Sequence, residues 1–300
     1  MTPVSETNFE IRYLSRYSYD QDVVDNLNAL RVKPATLPRQ RVEEFSVRLS
    51  PDARQQRHDD YFGTEVVEFE IARPHHELVI DVRARVTTQA PEAPPQPDWE
   101  ALEAPEYLEA GGEFLFHTED VTGHPALDGL LAETAQSGTP VELLTSVAEL
   151  IPSRFEYRRG ATYVDSPLAA VLDGGAGVCQ DFVHLALWLL RHHGIAARYV
   201  SGYLFSSDGS APEQESVEVD THAWLEALVP NSRGDSVWVG VDPTNQGLTT
   251  GQHVKIGHGR HYSDVPPIKG VYRGMAESSL DASVTMTRLE GPDPAASART

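Results

Sequence analysis

Apolar and polar positions alternate through the first ninety residues. Phe9-Glu10-Ile11-Arg12-Tyr13-Leu14, Glu44-Phe45-Ser46-Val47-Arg48-Leu49, Val66-Val67-Glu68-Phe69-Glu70-Ile71 and the run from Leu78 to Val86 all carry the pattern. A period of two places every second side chain on one face, so each run predicts an antiparallel strand with one wet face. Ser50-Pro51-Asp52, Asp59-Asp60 and Arg73-Pro74-His75 punctuate the runs as turns. Residues 1–90 are therefore expected to form a small β-sandwich domain. The Pro-rich stretch that follows is stiff and extended, and it places a linker at residues 91–98.

Beyond residue 98 the apolar period lengthens. Trp99 to Leu108, Leu127 to Ala135 and Pro140 to Ile151 read as helices, the third with Val141, Leu144, Val147, Ala148 and Ile151 on one face. Phe155 to Tyr163 reads as a loop or short strand, and Ser166 to Leu172 as a short helix behind Pro167. Phe182, Val183, Leu185, Ala186, Leu189 and Leu190 again recur at helical spacing. The pattern then returns to strands over Ile195 to Phe205, Thr221 to Val229 and Ser236 to Pro243, with an acidic solvent loop expected over 206–219. Helices followed by a sheet make an α+β domain, taken here as residues 99–290, with a flexible tail at 291–300.

The candidate chemistry lies where the helical period begins again. Gly174, Gly175 and Gly177 lead to Cys179, the single cysteine of the chain, at the start of the predicted helix. Unpaired N–H groups and the helix dipole favour negative charge there, which is the setting for a thiolate nucleophile. A lone cysteine is more often a small buried hydrophobe, so the reading needs a base and a group to orient it. His222 opens one later strand and Asp242 closes the next, and neighbouring antiparallel strands bring such positions within hydrogen-bond reach. An imidazole that takes the thiol proton, held by a carboxylate, completes a nucleophile, base and orienter. With 12 histidines in the chain, spacing alone carries little weight.

Composition narrows the partners. The formal net charge is −21, spread along the chain, and such a surface repels nucleic acid and anionic lipid. No run approaches the roughly 20 apolar residues of a membrane span. The first residues lack a continuous apolar stretch of signal-peptide type, and one cysteine suits a reducing compartment, so a cytoplasmic protein is expected.

Four motifs carry a family resemblance. Gly-Val-Cys-Gln-Asp-Phe at 177–182, Ala-Arg-Tyr-Val-Ser-Gly-Tyr at 197–203, Thr-His-Ala-Trp at 221–224 and Val-Asp-Pro-Thr-Asn at 241–245 resemble the bacterial transglutaminase-like family. The leading β region resembles that family's own N-terminal region, down to Asp60-Tyr61-Phe62-Gly63-Thr64, where the family tends to have Asn at the place of Thr64. Gly259 to Pro267 resembles a late segment in which Asp usually stands at the place of His261. The resemblance implies a papain-like fold with Cys179 as nucleophile, His222 as general base and then acid, and Asp242 as orienter. It also implies a thioester intermediate formed on an amide, often a glutamine side chain, with transfer to an amine or to water. A cysteine peptidase or amidase of the same fold is the alternative. A non-catalytic peptide-binding or protein-binding module is the second.

Some roles stay open. The backbone N–H of Cys179 is a natural oxyanion donor, and Tyr163 or Gln180 is a candidate for the second, with an ordinary packed tyrosine as the plain reading of Tyr163. Trp224, two residues beyond His222 on one strand face, could shield the ion pair or simply belong to the core. Asp181 is expected to cap or anchor a nearby loop, and His184 to be a structural hydrogen-bonder. No metal-ligand spacing is present, so neither metal nor cofactor is expected. The expected partner is a peptide or protein amide substrate, and the sequence specifies no oligomeric state.

Overall fold

The computed structural model of the chain describes residues 6–164, 166–206, 216–219 and 221–289. The alternating runs of the N-terminal region are strands: β1 (Glu6–Leu30), β2 (Gln40–Ser50), β3 (Gln55–Asp59), β4 (Glu65–Ile71) and β5 (His75–Gln89). β1 is long enough to serve two ladders. Its first part lies between β5 and the last strand, and its second part, from Val24, pairs with β4 and with β14. Phe9, Ile11 and Tyr13 from the first part share one core with Val67, Phe69 and Ile71 of β4. The two ladders thus fold over a common apolar interior, as alternation with one wet face requires.

The helices come next. The expected helix over Trp99 to Leu108 divides in two, a 3-10 turn at Trp99–Glu103 and then α1 (Pro105–Gly111). Pro105 is the cause, because it pushes Ala104 into the extended region and can only start a helix. α2 (Pro125–Thr134) and α3 (Pro140–Arg154) follow, and Thr139 and Glu142 close a reciprocal capping box on α3. A two-residue strand β6 (Glu156–Tyr157), α4 (Leu168–Gly174) and a second two-residue strand β7 (Ala176–Gly177) lead to α5 (Cys179–His192).

The remaining strands form a second, antiparallel sheet and complete the first. β8 (Ala197–Leu204), β10 (Thr221–Pro230), β11 (Ser236–Asp242), β12 (Gly247–Leu248) and β13 (His253–Gly259) make the second sheet, in the order β12-β11-β10-β8-β13. β9 (Ser216–Val219), β14 (Ile268–Arg273) and β15 (Ser278–Leu289) return to the first. The end of the expected solvent loop is therefore a strand, with Ser216–Val219 paired to β15, while residues 207–215 and the tail at 291–300 lie outside the described residues. β15 pairs with β1 from Asn8↔Leu289 to Tyr19↔Ser278, which apolar spacing near the C-terminus does not disclose.

The second sheet lies between two cores. β8 gives Ala197 and Tyr199 to the helical core, while Tyr203 of the same strand and Phe205 just beyond it belong to the strand core. α5 packs against β8 and β10 on one side and α3 on the other, and Phe182, Val183, Leu185, Ala186, Leu189 and Leu190 are fully enclosed. Residues 181–191 of α5 are all buried, the polar Asp181, His184 and Arg191 included, so the helix belongs to the interior. Gln40 of β2 joins the sheets by donating to the Lys255 carbonyl at 2.7 Å and accepting its N–H at 2.8 Å. No described helix is long and apolar enough to cross a membrane.

Candidate active site

The glycine-rich approach positions Cys179 in two steps. α4 ends at Gly175, whose φ of 65° turns the chain left-handed. β7 then pairs in parallel with β6 and delivers Val178 as the N-cap of α5, so that Cys179 is its first residue. Asp181 fixes this start. Its carboxylate accepts the Val178 N–H at 2.7 Å and the Thr162 hydroxyl at 2.5 Å, so it both caps the helix and anchors the preceding loop. A Cβ at residue 177 would lie 2.8 Å from the Asp181 carboxylate oxygen, which explains the glycine there. Burial pushes the Asp181 pKa up, against the pull of its bonds from Thr162 and Val178.

His222 and Asp242 meet as the strand positions predict. β10 and β11 pair from Leu225↔Val241 onward, and His222 Nε2 lies 2.8 Å from Asp242 Oδ2. That contact leaves Nδ1 as the ring nitrogen for the sulfur. Burial alone would lower the basicity of His222, but its hydrogen bonds with Asp242 and with Cys179 outweigh it and carry the pKa up to about 9. The imidazole is therefore held in its protonated form between a carboxylate and the sulfur. Cys179 is partly buried and rests against the helical core.

Asp242 has more partners than the sequence indicated. Its side chain is 1% exposed. Oδ2 also accepts from Asn245 Nδ2 at 2.7 Å and faces His253 Nε2 at 3.0 Å, while Oδ1 accepts the backbone N–H groups of Thr244 and Asn245. Burial works to raise its pKa, and the bonds from His222, His253 and Asn245 overcome that, holding the carboxyl well below the usual carboxylate range. Asn245 lies in the quoted Val-Asp-Pro-Thr-Asn motif, so its type and position were visible there. His253 had no local signal, because β13 reaches the site only through its pairing with β8.

The other candidates separate. Trp224 is 2% exposed and joins the site as a wall: its ring meets His253 edge-on at 5.2 Å and lies 6.2 Å from His222. Gly202, opposite His222, makes room for that indole, since a Cβ there would lie 2.4 Å from it. Gln180 donates its amide to the Val164 carbonyl at 3.1 Å, which ties the 162–166 loop to the start of α5. Tyr163 in that loop is 81% exposed, so the plain expectation of a packed tyrosine is wrong. The loop is held instead by Thr162, Val164 and the bond from the Tyr163 N–H to Ser166 Oγ. His184 is no hydrogen-bonder: it is 6% exposed and neither ring nitrogen has a partner.

Among the described residues, two side-chain groups place three donor atoms close enough to hold a metal ion: His222, Asp242 and His253, and Glu119, His184 and His261. In the first, the carboxylate already bonds both imidazoles.

Two family models match separate parts of the chain. Residues 9–87 match the model of the bacterial transglutaminase-like N-terminal region, and residues 129–243 that of the transglutaminase-like superfamily. An uncharacterised protein of Mycobacterium leprae is 33% identical over 274 residues, covering 91% of this chain and 96% of the relative. A protein-glutamine gamma-glutamyltransferase of Pseudomonas aeruginosa is 27% identical over 166 residues, which is 51% of this chain and 24% of that protein. A solved structure from Cytophaga hutchinsonii, named a "putative cysteine protease", superposes with a TM-score of 0.74 at 22% identity, covering 96% of this chain and 92% of that one. That likeness shows a shared fold.

Proposed function

Since the chain belongs to the transglutaminase-like superfamily, with that family's bacterial N-terminal region ahead of the core, we propose that it is a cysteine acyltransferase or hydrolase acting on amide bonds. The observation that carries the reading is the chain of contacts from Cys179 through His222 to Asp242. The Cys179 thiolate attacks the amide carbonyl, and the C–N bond breaks as the His222 imidazolium gives its proton to the leaving nitrogen. The thioester then passes its acyl group to an amine or to water, with His222 removing the proton of the acceptor. Asp242 holds the tautomer and orientation of the ring throughout. The N–H of Cys179 at the open end of α5 is the first oxyanion donor.

The substrate is a peptide or protein amide, and the name of the Pseudomonas relative favours a glutamine carboxamide as acyl donor. Two experiments test the reading. Iodoacetamide near neutral pH should label Cys179 stoichiometrically, and His222→Ala should slow labelling by roughly 10-fold or more; equal rates in the two proteins would end the activated-nucleophile reading. Trapping the acyl-enzyme from a glutamine-containing peptide library, with mass spectrometry of the Cys179 peptide, identifies the donor. Ammonia release with and without an added amine then divides transfer from hydrolysis.

A further inference from the structure

Beside the nucleophile's helix, a cavity of about 560 Å³ has Glu119, Gln180, Asp181, His184, His261 and Lys269 in its wall. Three of these are donors that the acyl chemistry does not use. His184 stands on α5 five residues past Cys179, nine-tenths buried, with both ring nitrogens unpartnered. Buried polar groups are normally satisfied, so an imidazole left this way at a cavity wall marks a place for a ligand. His261 and Glu119 converge on it. The His261 ring centroid is 4.1 Å from that of His184, and His261 Nε2 is 2.9 Å from Glu119 Oε1. One donor atom from each of the three lies within 4.8 Å of the other two.

The three residues are far apart in sequence, and one buried side chain brings their segments together. Arg191, near the far end of α5 and 5% exposed, donates to Thr118 Oγ1 at 3.3 Å and to the Arg260 carbonyl at 2.8 Å. Thr118 and Arg260 are the chain neighbours of Glu119 and His261. The donor set is thus clamped to the helix that also carries His184, and preorganisation of this kind is what a ligand site requires.

We propose that Glu119, His184 and His261 bind one divalent transition-metal ion, of which Zn²⁺ is the type, with a coordination position left open toward the cavity. Two imidazole nitrogens and one carboxylate oxygen suit such ions, whereas Ca²⁺ and Mg²⁺ take oxygen shells. The hydrogen bonding of His261 allows it. Its Nδ1 accepts the Ser263 N–H at 3.1 Å, which leaves the ring proton on Nε2, facing Glu119. On metal binding that proton moves to Nδ1, which gives up the bond from the Ser263 N–H and donates instead to Ser263 Oγ, also 3.1 Å away. Nε2 is then free to ligate, with the second-shell partner that metal-bound imidazoles commonly have.

Cobalt is the probe that distinguishes this site from the thiol. The full chain carrying Cys179→Ser, which removes the competing sulfur, should take up one equivalent of Co²⁺ with visible d–d bands and no thiolate charge-transfer band. Zn²⁺ should displace it. Loss of an outer-shell partner alone costs 10- to 100-fold in metal affinity, so His184→Ala and Glu119→Gln in the same background should each weaken binding by more than about 100-fold. His222→Ala should leave it unchanged. Glu119→Gln is a near-isosteric change at a half-buried position, and its metal-free melting curve verifies that the fold is kept. The proposal fails if no saturable cobalt spectrum appears, if the spectrum survives both His184→Ala and Glu119→Gln, or if it disappears with His222→Ala, which would move the ion to the catalytic group. None of these readouts depends on turnover, so they stand apart from the test of the acyl chemistry.

Discussion

Asp242 accepts from five donors, three of them side chains, and this crowding sets how the site responds to change. Replacing it by Asn keeps the shape but removes the charge that holds the imidazolium, and turnover on a trapped donor should fall by roughly 100- to 10,000-fold with little change in KM. His253→Ala removes one of the three side-chain donors while His222 keeps its own bond, so a smaller loss in kcat is expected, together with a shift in the pH profile that a purely structural role would not produce. The sign of the pH dependence follows from His222. Its folded pKa of about 9 lies above the value of about 6.5 in an unfolded chain. Its partners therefore contribute stability that is fully present below about pH 6.5 and is lost as pH rises through about 9. Urea midpoints of the native chain and of His222→Ala, measured from pH 6 to 10, should converge across that window. A gap that stays constant would contradict the ion pair.

At the level of elements, two glycines, Gly177 before α5 and Gly202 in β8, decide whether the helix and the strand can present these groups. Gly202→Ala drives a Cβ to 2.3 Å from the Val254 carbonyl and 2.4 Å from the Trp224 ring. Overpacking of this sort should cost about 1–3 kcal/mol, and because Trp224 backs His222 and His253, activity should fall further than stability, as thermal melts run beside turnover would show. The elements were largely legible in the sequence. Alternation marked β2, β4 and β5, helical spacing marked α3 and α5, and the glycine lead-in before Cys179 marked the start of α5. The miscalls have local causes: Pro105 divides a helix that apolar spacing alone joins, and Ser216–Val219 becomes a strand only because β15 lies beside it. The core of the site was legible because its three residues sit in short motifs at element ends. Asp242's partner His253 and the group of Glu119, His184 and His261 were not, because strand pairing and the reach of Arg191 bring them together and neither leaves a spacing in the chain.

On the scale of the whole molecule, one buried ion cluster ties three strands of the second sheet, and one strand pairing, β1 with β15, completes the first. Glu226 of β10 bonds Arg198 of β8 at 2.6 Å and Lys255 of β13 at 2.5 Å, and the Arg198 guanidinium stacks 3.9 Å above the Trp238 ring. Burial works to raise the Glu226 pKa, but Lys255 and Arg198 bring it down to about 2. Glu226→Gln strands two cations in the interior and should destabilise the fold by about 3–5 kcal/mol, read from urea denaturation near neutral pH. Lys255 is also the residue whose backbone bonds Gln40 of the first sheet, so that loss should appear in both sheets together. The pairing of β1 with β15 has a consequence for synthesis. β1 has β15 as its neighbour, and the roughly 250 residues between Leu30 and Ser278 take about 12–50 s to be made at 5–20 residues per second. For that interval the first part of β1 lacks its β15 neighbour while Cys179, His222 and Asp242 are made in turn. Cys179, His222 and Asp242 are thus all synthesised before β15, and a chain that stops short of Ser278 carries the three proposed catalytic residues without the strand that pairs with the first part of β1.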